Sequence, residues 1–216
     1  AVAAAAAPTP NNGAHARRPD FRTAPEPHAG EPRDPADAMI KTGVALQPGQ
    51  DLLITAPMEA APLVRRLAHH AYKAGAGLVT PFYTDPEITL ARYQHAAPES
   101  FDKTTDWLFD GMAAAFDKNT ARLAVVGEDP MLLSGQNPEH VGRANQAMSK
   151  ASSPLRERIT RFDINWNIIA WPGLQWAKIV FPQMSDADAQ IALAEAIFNA
   201  SRVNTSNPNE AWAVHN

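Results

Sequence analysis

The chain contains no cysteine. Disulfide scaffolds, thiolate zinc sites and cysteine nucleophiles are excluded together. Long apolar runs are also missing. None approaches the ~18 residues of a membrane-spanning helix, so an integral membrane protein is not expected. Nor is there a large excess of either charge: 19 Lys and Arg against 23 Asp and Glu leave −4. That balance argues against a general nucleic-acid or anionic-membrane binder. Familiar catalytic signatures are absent as well. There is no phosphate-binding Gly-x-x-x-x-Gly-Lys loop, no Gly-x-Ser-x-Gly elbow and no His-Glu-x-x-His pair.

What is present is an ordinary globule of 216 residues, 45% hydrophobic and 19% charged. That length suits one domain with or without an appendage. Residues 1–35 hold seven of the 19 prolines and ten alanines, but only Val2 and Phe21 as large apolar residues. So little apolar surface cannot offset the entropy of ordering the segment, which reads as a flexible tail. Its opening Ala-rich run follows no basic residue and is too weakly hydrophobic for a signal peptide.

From residue 36 onward, apolar runs alternate with amphipathic stretches, and the domain is expected to occupy 36–216. Strands are predicted over 51–56, 78–83, 122–127 and 165–171, with Pro81 placing the second at an edge or bulge. A helix over 59–74 turns Leu63, Val64, Leu67 and Ala71 inward and Arg65, Arg66, His69, His70 and Lys73 outward. Gly75 and Gly77 end it. Thr84 begins the next helix, with Pro86 in its first turn and Glu87 three residues on. A helix over 104–118 turns Trp107, Leu108, Met112, Ala115 and Phe116 inward. Asn137 caps a long helix with the stripe Val141, Ala144, Met148, Leu155 and Ile159, interrupted at Ser153-Pro154. Ser185 caps one carrying Ile191, Ala194 and Phe198. A last helix start is read at 207–210. Short apolar strands alternating with helices give an α/β fold: an open three-layer domain with a mostly parallel sheet covered by helices on both faces.

Ligands of such sheets gather at the carboxyl ends of the strands. That edge carries Glu59, Asp85, Glu128, Asp129 and Trp171. Glu59, Asp85 and Asp129 are acids in reach of one another, and Trp171 flanks a Pro-Gly turn, so these four are the cleft candidates. Helix capping also explains each acid. With no His, Ser or Lys constellation in support, no catalytic residue and no metal ligand is assigned. His69 and His70 point about 100° apart on a helix and do not chelate one ion together.

Residues 44–77 (VALQPGQDLLITAPMEAAPLVRRLAHHAYKAGAG), 127–133 (GEDPMLL), 161–182 (RFDINWNIIAWPGLQWAKIVFP), 195–208 (EAIFNASRVNTSNP) and the closing AWAVHN form collinear blocks. Together they resemble the amino-terminal domain of the M29 metallo-aminopeptidases, the thermophilic aminopeptidase group, over about 37–216. The resemblance implies two-domain, dimeric enzymes that remove amino-terminal residues from peptides, with a cytoplasmic location. It also implies two divalent metal ions of the Zn or Co class, held by Glu, His and Asp of a carboxy-terminal domain, so that none of those ligands falls on this chain. The chain is then expected to be a non-catalytic domain walling the active site of a homodimer that acts on peptides. Two rival readings are a stand-alone α/β binding or interaction module without catalysis, and a small hydrolase using Glu59, Asp85 and Asp129.

Overall fold

The computed structural model describes residues 35–205. The Ala/Pro-rich stretch 1–34, the helix start at 207–210 and Trp212 lie outside them. A four-stranded, wholly parallel sheet forms the middle layer, in the order β2-β1-β3-β4. Its strands are β1 (Leu52–Pro57), β2 (Val79–Thr84), β3 (Ala121–Val126) and β4 (Trp166–Ala170). β2 lies at the edge with Pro81 opposite Ile54, a place where a residue without an N–H breaks no ladder on its outer side.

β1 is apolar along most of its length because both faces are covered. Leu52, Ile54 and Ala56 turn to one side, joining Leu123, Val125 and Ile169 beneath α1 (Pro35–Ala38), the π-helical turn Met39–Gly43 and α2 (Ala61–Lys73). Ile40, Val64 and Leu67 complete that cluster and are almost fully buried. Leu53 turns to the other side, against Phe116, Leu155 and Ile164. Phe116 comes from α4 (Asp106–Asp117) and Leu155 from α6 (Ser153–Thr160), so helices cover both faces and the fold is the expected three-layer α/β domain.

α2 ends where Gly75, at φ +91°, lets the chain turn back toward the Gln47–Gln50 turn, and Gly49 N–H donates to the Gly75 carbonyl. α3 (Pro86–His95) and α5 (Pro138–Ala151) are joined through Phe101, whose ring is sandwiched between those of Tyr93 and His140. α7 (Leu174–Val180) and α8 (Asp186–Ser201) form a hairpin with its own small core of Ala177, Ala189 and Leu193.

Several expectations need correcting. The cap of α3 is Asp85 rather than Thr84: its carboxylate accepts the Glu87 N–H at 2.9 Å. Trp107 does not face inward. It is 72% exposed in the first turn of α4, and Ala113 and Phe116 carry the buried face. Met148 is exposed, whereas Ala144 is buried. Ile191 and Phe198 are exposed, because α8 packs on α7 through Ala189 and Leu193 instead. His70 is not on the solvated face: half-buried, it reaches Asp37 of α1, Nδ1 to Oδ1 3.3 Å. α7 was missed because seven residues following Pro-Gly give too short a pattern to reveal a period.

Candidate functional site

From β1 the chain crosses to β2 on one side of it. The next crossover brings β3 to the other side. The direction of winding therefore reverses between β1 and β3, the place where ligands of open α/β sheets bind. Four segments meet this edge: Met58–Ala60 after β1, Asp85 after β2, 127–129 after β3 and 171–173 after β4.

Two glycines bring the last two segments together. Trp171 N–H donates to the Val126 carbonyl at 2.7 Å, carrying the β3–β4 ladder one step further. A Cβ on Gly127 would run into the Trp171 carbonyl, and one on Gly173 into the Gly127 carbonyl. The Cβ position of Gly173 also lies 2.8 Å from Glu59 Oε1, so the Glu59 carboxylate rests against this crossing. Only glycine allows so close an approach of backbone to backbone.

Glu128 turns its carboxylate back, accepting the Gly127 N–H at 3.2 Å. Partial burial, and secondarily the negative charge of Glu128, raise the pKa of Glu59 above the ordinary carboxylate range. The edge thus holds two acids on the two sides of the switch, with the charge of Glu128 acting on Glu59.

Asp85 and Asp129 are committed to local backbone. Asp85 caps α3, and Asp129 accepts the Met131 N–H at 2.8 Å. Trp171 packs on the main core, and its buried indole N–H has no acceptor among the described residues. Glu59 and Trp171 both meet the Gly127–Gly173 crossing, while the carboxylates of Asp85 and Asp129 are engaged elsewhere. Glu128, present on the predicted edge but not singled out, is the acid that couples to Glu59. A Gly-Glu pair directly following a strand was the available signal.

These side chains do not fit a metal pair. No group of three or more His, Asp or Glu side chains able to hold an ion converges among the described residues, and two carboxylates fall short of the ligand set of one catalytic zinc. Nor does any helix among the described residues have the length and apolarity to cross a membrane.

The fold and this edge define an open, parallel-sheet α/β unit. The match to the family model of the thermophilic metalloproteases, M29, runs over residues 33–216, and the chain belongs to that family. It is 44% identical over 181 residues to aminopeptidase T of Thermus thermophilus, covering 84% of this chain and 44% of that protein. Aminopeptidase 2 of Geobacillus stearothermophilus is 34% identical, again over 84% of this chain and 44% of that protein. The solved structure of wild-type AmpT from Thermus thermophilus superposes with a TM-score of 0.78 at 43% identity, covering 84% of this chain and 44% of that one. The chain thus spans under half the length of these relatives.

Proposed function

We propose that this chain is the non-catalytic wall portion of a metal-dependent aminopeptidase that removes amino-terminal residues from peptides. The observation that carries this reading is a contrast. Identity to aminopeptidase T extends over 84% of the chain, yet among the described residues no group of His, Asp or Glu side chains able to hold a metal ion converges at the carboxyl edge of the sheet or elsewhere. In the parent enzyme two divalent ions of the Zn or Co class, held by other residues, would activate water and polarise the peptide carbonyl. The part played by this chain is to wall the cleft, exclude solvent and restrict entry, with Glu59, Glu128 and Trp171 on the edge nearest the substrate path. A homodimer in the cytoplasm, with peptides as substrate, completes the proposal.

The test is hydrolysis of a leucyl chromogenic substrate in Co²⁺ or Zn²⁺ by the purified 216-residue chain, beside intact aminopeptidase T. The expected result is turnover by the intact enzyme and none by this chain. Chelator-sensitive turnover by this chain alone would overturn the reading.

A further inference from the structure

α8 is apolar on two faces. Its stripe Ala189, Leu193 and Ile197 is covered by α7, with Trp176 and Phe181 packed against it. A second stripe, at spacings of three and four, is Ile191, Ala194 and Phe198. It is left partly open among the described residues: Ile191 is 59% and Phe198 38% exposed, with Ala194 half-buried between them. On the same hairpin, Ile179 and Val180 at the end of α7 and Met184 in the turn are also open. Five of the thirteen exposed large hydrophobics among the described residues lie on this one hairpin. Among its polar contacts, Lys178 pairs with Asp186 inside the hairpin at 3.3 Å, and Gln190 reaches the Pro172 carbonyl at 3.2 Å.

A helix hydrophobic on two sides is the pattern of a helix buried on two sides. A clustered apolar surface marks a place where something packs. The relatives say how much chain is available for this: more than half of aminopeptidase T lies outside the 44% that this chain matches. We infer that the open stripe of α8, with Ile179, Val180 and Met184, is the seat for that remaining part of an M29 chain. The inference rests on the reading that this chain is one portion of such an enzyme. It assigns the contact to the α7–α8 hairpin, leaving the Glu59–Glu128 edge free to face the cleft.

Hydroxyl-radical footprinting tests it without altering the protein. Oxidation rates of the α7–α8 peptides are compared between the 216-residue chain, shown monomeric by sedimentation velocity, and intact aminopeptidase T. The expected result is a several-fold loss of reactivity at the positions of Met184, Ile191 and Phe198 in the intact enzyme. Equal reactivity in the two proteins overturns the inference. Protection that disappears when the intact enzyme is diluted to monomers also overturns it, by assigning the face to a second copy. The double variant Ile191→Glu/Phe198→Glu of the 216-residue chain provides a second arm. Its thermal midpoint is expected to stay within about 2 °C of the wild type, as for changes on an uncovered surface; collapse of the fold would show that the stripe belongs to the chain's own core. Peptide hydrolysis by the 216-residue chain would sink the functional reading yet leave the footprint contrast standing, so the two failures are distinguishable.

Discussion

The side-chain amides of Gln50 and Asn165 bond each other in both directions across 115 residues of sequence. Gln50 Nε2 donates to Asn165 Oδ1 at 2.6 Å, and Asn165 Nδ2 donates to Gln50 Oε1 at 3.1 Å. Gln50 also donates to the Asn119 carbonyl, and Asn165 to those of Val44 and Ala45. One buried network thereby ties together the entries to β1, β3 and β4. Removing one partner leaves several buried polar groups unsatisfied, each costly on its own. Asn165→Ala should lower unfolding free energy by about 2–4 kcal/mol, measured by urea denaturation. Less than about 1 kcal/mol would mean that water replaces the amide and that the network does not hold the strands.

The glycine crossing at the carboxyl edge is the second testable feature. Gly127→Ala drives a methyl into the Trp171 carbonyl, and Gly173→Ala drives one into the Gly127 carbonyl. Backbone cannot yield as a flexible side chain does. Each variant should lose about 2–4 kcal/mol, against no more than about 0.5 kcal/mol for Gly142→Ala, an exposed helix position with open space around its Cβ. Similar losses at all three sites would show that the crossing relaxes freely.

Trp107 and Phe116 share α4 and divide its roles. Phe116 is 3% and Trp107 72% exposed. Phe116→Ala should cost about 3–5 kcal/mol, whereas Trp107→Ala should stay within about 0.5 kcal/mol. Thermal melts of the two variants would separate them. A large loss at Trp107 would restore the inward stripe read from the sequence.

How legible the molecule was depended on the range of the interaction that decides each feature. β1 and β3 were readable because short apolar runs between turn signals reflect burial on both faces, a local fact about each run. β2 and β4, less buried at the two edges, were readable from their short β-branched and aromatic runs. Asn137 and Ser185 were readable as caps because a cap bonds residues two or three positions on. Trp107, Ile191 and Phe198 were misjudged because α4 and α8 carry more apolar residues than one face needs. Which stripe is covered depends on partners far along the chain. Glu128 was passed over for the same reason: its coupling to Glu59 arises only when β1 and β3 lie side by side.

That coupling gives the last prediction. In the folded chain Glu59 holds its proton more tightly than in the unfolded chain, through partial burial first and the charge of Glu128 second. The resulting stability is fully present below the ordinary carboxylate pKa and is lost as pH rises through the raised folded value. Asp102 and Asp117 act oppositely. Hydrogen bonds from Arg143 and Arg158 hold them below their usual range, so their contribution is lost as pH falls. Subtracting wild type from Glu59→Gln cancels those two and isolates the Glu59 contribution. The variant should match wild type in acid and exceed it at neutral pH, by a small margin because Glu59 is largely open to solvent. In Glu128→Gln, carboxyl NMR should show Glu59 titrating lower than in wild type yet still above the ordinary value, since burial is the larger cause. An unchanged Glu59 midpoint would show that the two carboxylates do not interact and that the edge holds separate acids.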